Sequence, residues 1–211
     1  MAPATQNGLC LNCTTHLLPT HQDCCLRCGL PLNHAADICG HCLQDPPAYD
    51  YTRVGRIYAW PVAHLIHAFK YGHAYGLAGL LCDSLNAATP LPDVFLPMPQ
   101  HPLRLRERGY DQSRLLAAEL SRRHKRPMLD RACHRIRNTR SQTGLALSQR
   151  KANLHGAFAC QGDVRGLHVA VVDDVMTTGS TLESLAETLR NSDVETIEVW
   201  VCARTLPPHS R

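Results

Sequence analysis

Four apolar residues, Val169 to Val172, run straight into two adjacent aspartates, Asp173 and Asp174, within the stretch HVAVVDDVMTTGST. An apolar run of this length reads as a buried strand. Neighbouring carboxylates repel, and neither is readily buried without a partner. The pair therefore belongs at the strand's end, where other groups can meet it. Thr177-Thr178-Gly179-Ser180-Thr181 then leads into STLESLAETLR, where Leu182, Leu185, Ala186 and Leu189 share one helical face. In open parallel sheets, ligands bind beyond the carboxyl ends of the strands. A helix start offers unpaired N–H groups and partial positive charge. The four hydroxyls add donors, and Gly179 lets the backbone come close. These parts make a phosphate cradle. Two carboxylates beside it suit a sugar diol or a divalent cation. The stretch reads as a site for a phosphorylated sugar. It is neither a Walker A loop nor a dinucleotide fingerprint, because no lysine follows Gly179 and one glycine is not three. The plainer alternative is a capped strand–turn–helix with two exposed aspartates.

The rest of the chain alternates in the same manner. RIYAW, DVFLPMP, GLHVAVV and ETIEVWVCAR read as strands. PVAHLIHAFKYG reads as a helix with Pro61 in its first turn, and DQSRLLAAELSRRH as a helix capped by Asp111. Strands alternating with helices predict an α/β domain with a mainly parallel sheet flanked by helices, here over residues 54–211. Residues 46–53, with Pro46-Pro47, read as a linker, and residues 1–45 as a separate cysteine-rich head. The 211 residues suffice for one core and a small appendage. No apolar run is long enough to span a membrane, and the start lacks a signal peptide's pattern, which points to the cytoplasm.

Cysteine is abundant for such a chain, with 11 residues. Six form the pairs Cys10/Cys13, Cys25/Cys28 and Cys39/Cys42. In a reducing compartment, paired cysteines more often hold metal than form disulfides. Cys25-x2-Cys28-x10-Cys39-x2-Cys42 has zinc-ribbon spacing, and two such knuckles complete a tetrahedral Zn2+ site. An alternative set joins Cys10/Cys13 to Cys25/Cys28. Three pairs are one pair short of two full sites: His16, His21, Cys24, His34 or His41 could complete a second, or the pair at Cys10 is left over from a fuller double ribbon, and a redox dithiol is the competing chemistry. The isolated Cys82, Cys133, Cys160 and Cys202 read as small buried apolar residues.

Charge is unevenly spread. Arg104 to Lys151 holds 14 Lys/Arg and 4 Asp/Glu, whereas the remainder holds 8 and 14. A basic middle against an acidic remainder points to phosphates, in a small ligand or in nucleic acid. The head holds only Arg27 as a basic residue before residue 50, so it is a poor nucleic-acid surface.

VAVVDDVMTTGST resembles the phosphoribosyl pyrophosphate (PRPP) motif of type I phosphoribosyltransferases. CLRCGLPL, CGHCL, LIHAFKYG, LPMPQHPLRLRERGYDQS, RSQTGLALSQRKANLHGAF and VVDDVMTTGSTL follow one another in the order of the ComF/GntX family. Those proteins carry a cysteine-rich head on a phosphoribosyltransferase-like domain and are associated with natural competence. Two departures stand out. The family commonly has Asn where this chain has Asp111, and many members carry a further CxxC upstream.

The resemblance implies PRPP as ligand, with Mg2+. It assigns Asp173 and Asp174 to the ribose hydroxyls and Thr177, Thr178, Gly179, Ser180 and Thr181 to the 5-phosphate. Arg104, Arg106 and Arg108, on an extended or turning segment, would approach the pyrophosphate. Arg140, Gln142 and Thr143 would lie on a mobile lid docked by Arg150, Lys151 and Asn153. Lys70 is family-like without a role that spacing assigns. The implied chemistry is pentosyl transfer at ribose C1, with an unnamed acceptor. Two other readings stay open. One is a catalytically silent module binding single-stranded DNA or an uptake partner through the arginines. The other is a nucleobase-salvage enzyme.

Overall fold

The structure, a computed structural model, describes residues 17, 24–32, 36–85, 90–137 and 156–207. The elements run α1 (Gly40–Gln44), β1 (Tyr51–Ile57), α2 (Val62–Tyr71), α3 (Leu77–Cys82), β2 (Val94–Pro97), α4 (Pro102–Arg108), α5 (Gln112–His124), β3 (Cys133–Arg135), β4 (Phe158–Cys160), β5 (His168–Met176), α6 (Ser180–Arg190) and β6 (Thr196–Arg204). Four strands form one sheet in the order β1-β6-β5-β2, and every neighbouring pair is parallel. β3 and β4 make a separate antiparallel hairpin.

Strand alternation divides the core into two layers. On one face Val169, Val171, Val199 and Val201 pack with Leu182, Leu185 and Leu189 of α6. On the other, Ala170, Val172 and Trp200 pack with Ile66 and Phe69 of α2 and Leu116 and Leu120 of α5. Glu198, buried in β6, accepts from Arg53 Nε at 3.2 Å and Nη2 at 3.0 Å and from Trp200 Nε1 at 2.7 Å. Asp111 caps α5 as expected, accepting from the Arg114 amide at 3.0 Å. Cys82, Cys133 and Cys202 are buried, and Cys160 is half-buried.

Two strands extend beyond the sequence expectation. β1 begins at Tyr51, inside the stretch expected to be linker, because Tyr51 to Arg53 pair with Glu198 to Trp200 of β6. That ladder depends on a partner far along the chain, so local composition carries no sign of it. β5 continues through both aspartates to Met176, which pairs with Arg204. Among the described residues, no helix is long and apolar enough to cross a membrane.

Candidate functional site

A cleft opens at the carboxyl end of β5. Lys70, Gln100, Arg104, Arg108, Arg135 and the run Asp173–Leu182 are among its lining residues. The aspartate pair is resolved by giving each carboxylate its own neighbour. Lys70, from α2, places its Nζ 3.0 Å from Asp174 Oδ2. Ser113, in the first turn of α5, donates to Asp173 Oδ1 at 2.8 Å, and the Asp174 amide donates to the same oxygen at 2.9 Å. Burial still pushes the Asp173 carboxyl up to about 7, reinforced by the charge of Asp174 and opposed by Lys70 and Ser113. Burial works against the Lys70 ammonium, but Asp174 and Asp173 outweigh it, and its pKa rises.

The turn after β5 has the form that the hydroxyl-rich stretch predicts. Gly179 is left-handed at φ 82° and stands as the N-cap of α6. A Cβ there would meet Met176 Cε at 2.8 Å and Tyr49 Oη at 3.3 Å, so the position favours glycine on both counts. Thr178 Oγ1 lies 2.9 Å from Ser180 Oγ. Thr177 and Thr178 are exposed, so their donors face outward at the start of an amphipathic helix. Asp173, Asp174, Thr177, Thr178, Gly179, Ser180 and Thr181 all border the one cleft.

The arginine trio behaves differently from an extended segment. Arg104, Arg106 and Arg108 lie in helix α4, opened by His101 and Pro102 and closed by left-handed Gly109. Residues four apart share a helical face, whereas residues two apart stand about 200° from each other. Arg104 and Arg108 accordingly line the cleft, and Arg106 is exposed elsewhere. Arg140, with Gln142, Thr143, Arg150, Lys151 and Asn153, lies outside the described residues.

Several residues at the site had no role assigned from the sequence. Lys70 gains its role through Asp174. Ser113 anchors Asp173. Gln100, between β2 and α4, also lines the cleft. Arg135, on the β3–β4 hairpin, is nearly buried, with its guanidinium 5.6 Å from the Phe158 ring centre. Lys70, Gln100 and Arg135 line the cleft, and Ser113 bonds to Asp173, all from parts of the chain far from β5 in sequence. The available signs were the family likeness of Lys70 and the high density of arginine around Arg135.

The head contributes a second centre. The sulfurs of Cys25, Cys28, Cys39 and Cys42 all lie within 4.8 Å of one another. Cys28 Sγ and Cys39 Sγ are 3.7 Å apart, close to the edge of about 3.8 Å that zinc–sulfur bonds of about 2.3 Å give in a tetrahedron. Burial raises Cys25, but amide donors from Cys28, Cys39 and Arg27 outweigh it and hold its thiol down at about 7. Burial first, and then neighbouring sulfurs, push Cys28 up to about 11. Four sulfurs so placed could hold a cation, and the donor set suits zinc. Cys24 and His41 stand outside this cluster, and Cys10, Cys13, His16, His21 and His34 lie outside the described residues.

A parallel sheet flanked by helices, with a hydroxyl-rich turn after an acidic strand end, is the architecture of a phosphoribosyltransferase-type domain. Residues 112–207 match the family described as phosphoribosyl transferase domain. The chain is 34% identical to "Competence protein F" of Haemophilus influenzae, over 94% of this chain and 91% of that one. It is 36% identical to "DNA utilization protein YhgH" of Shigella flexneri and of Escherichia coli K12, with the same coverage. The chain belongs to the competence protein F (ComF) family, as its motif order implied.

Proposed function

We propose that the cleft binds PRPP with Mg2+ and is built for pentosyl transfer, and that the protein serves the handling of incoming DNA. The observation that carries this reading is the convergence of Asp173, Asp174, the 177–181 turn, Arg104 and Arg108 on one cleft. The amides and hydroxyls of the turn take the 5-phosphate. Asp173 and Asp174 accept from the ribose hydroxyls. Arg104 and Arg108 meet the pyrophosphate as paired-donor forks. The carboxylates are hard oxygen donors that fit Mg2+, which when bound neutralises charge on the leaving pyrophosphate. The residues themselves orient the ribose and hold the phosphates apart from solvent. The names of the relatives support the link to competence and DNA use. The thiolate cluster supports a structural Zn2+ in the head. A four-thiol cluster of this kind fits a reducing, cytoplasmic setting.

Calorimetric titration of PRPP with Mg2+ tests the reading. The wild type binds, and the double variant Asp173→Asn, Asp174→Asn loses about tenfold or more, since hydrogen bonds to charged groups are the strong ones. Unaltered circular dichroism shows the variant folded. Equal affinities would overturn the site.

One observation favours a second reading, in which the module holds single-stranded DNA. Tyr75 and Tyr110 pack edge to face at 4.6 Å, and Arg108 stands 5.4 Å from the Tyr71 ring centre. Tyr71 and Tyr75 are exposed, so rings and basic side chains share a surface of the type that stacks unpaired bases.

A further inference from the structure

Arg204 closes β6, and only 5% of it is exposed. Its guanidinium joins parts of the chain that are far apart in sequence. Nε donates to the Cys28 carbonyl at 2.9 Å, across 176 residues. Nη1 donates to the Met176 carbonyl at 3.1 Å, to the Thr177 carbonyl, and to the Thr205 carbonyl at 3.1 Å. Cys28 belongs to the four-sulfur cluster. Met176 and Thr177 open the turn that leads to Gly179 and α6.

Other contacts hold the same parts together. The Thr52 amide donates to the Leu26 carbonyl at 2.7 Å, and the Thr52 hydroxyl to the Arg27 carbonyl, fastening the first knuckle to β1. Arg27 Nη1 donates to the Tyr49 carbonyl at 3.2 Å. Tyr49 is buried, and its hydroxyl lies 3.3 Å from where a Cβ on Gly179 would stand. The knuckle therefore abuts the turn both through Tyr49 and through Arg204.

The consequence follows from what each partner needs. A short cysteine knuckle has no apolar core and keeps its backbone shape through metal. The Cys28 carbonyl stands in reach of Arg204 only while that shape persists. Without it, a buried guanidinium loses an acceptor and shifts toward another. The same guanidinium holds the carbonyls of Met176 and Thr177, so the turn loses its fixed path. Donors that are already in place bind an anion more tightly than donors that must be ordered on binding.

We propose that Arg204 is a positioning residue that couples the four-cysteine head to the phosphate loop, so that metal retention and phosphosugar binding reinforce each other. The phosphosugar half of this statement rests on the reading above. The mechanical half does not. Coupling of this kind is reciprocal: whatever factor the metal adds to ligand affinity, the ligand adds to metal affinity.

Amide hydrogen exchange separates the two halves. The full chain is measured with Zn2+ bound and after removal of Zn2+ by a chelator, in wild type and in Arg204→Lys. Lysine keeps the charge but lacks the planar fork that spans both sets of carbonyls. In wild type, stripping raises exchange about tenfold at the Glu183 and Thr205 amides, which donate to the Gly179 and Met176 carbonyls of the turn, while the centre of α6 stays protected. In zinc-loaded Arg204→Lys, those two amides already exchange fast while the Cys25 and Leu26 amides of the knuckle stay protected. PRPP slows zinc loss to the chelator about tenfold in wild type and leaves it unchanged in the variant. Exchange at Glu183 and Thr205 that ignores stripping overturns the coupling. So does exchange that rises equally at the centre of α6, which would mean general unfolding. Exchange that responds locally while PRPP binds neither form sustains the brace and overturns the phosphosugar reading alone. The wild-type comparison needs no substitution, so it holds even if Arg204→Lys fails to fold.

Discussion

Burial and the neighbouring charge of Asp174 together hold the Asp173 carboxyl up at about 7, far above the usual value of about 3.9. The direction of the pH effect follows from that shift. Between about pH 4 and 7 the folded protein keeps a proton that the unfolded chain has lost. Asp173 therefore adds stability that is complete below about pH 4 and lost as the pH rises through about 7. Ligand binding acts in the opposite sense. Ribose hydroxyls and a divalent cation both favour the ionised carboxylate, so binding below about pH 7 releases a proton. PRPP affinity is expected to climb between about pH 5.5 and 7.5 and to level off above that range. Titrations in buffers of different ionisation enthalpy would count the released protons, and Asp173→Asn would remove the carboxyl's share of both the slope and the release, leaving that of the ligand's phosphates. A flat profile in wild type would mean that Asp173 does not face the ligand.

At the scale of elements, α4 gives the sharpest discrimination. Spacing by two aims three side chains together on an extended segment but divides them on a helix. Pro102 and the His101 cap start that helix, and Gly109 ends it. For a ligand in the cleft, Arg104→Ala and Arg108→Ala each lower PRPP affinity about tenfold, and Arg106→Ala changes it less than about twofold. A nucleic acid lying along the basic surface would use Arg106 as much as its neighbours, with steep salt dependence. Measuring all three variants against PRPP and a single-stranded oligonucleotide separates the two readings. The strand–turn–helix from Val169 to Leu189 was legible in the sequence because every signal in it is local: apolar run, hydroxyl turn, glycine, helical period. The start of β1 was not, because Tyr51 to Arg53 become a strand only through pairing with β6. Lys70 stood out by resemblance, but its role was not readable, since its meaning is a contact with Asp174 on another element.

At the scale of the whole molecule, a parallel sheet carries its site at one strand end, and a cysteine-rich head is fastened to that same end. Cysteine spacing was enough to read which four thiols gather in the head. Its attachment was not readable, because Arg204 and Cys28 meet across 176 residues and an arginine at the end of a strand has no special signature. The central claim is that the 177–181 turn and the aspartate pair hold the phosphate and ribose of one ligand. The most direct measurement is a crystal structure of the zinc-loaded protein with PRPP and Mg2+. The account predicts the 5-phosphate on the amides at the start of α6, with Asp173 and Asp174 within hydrogen-bond distance of the ribose hydroxyls. A ligand seated away from that turn, or one whose ribose touches neither aspartate, would contradict it.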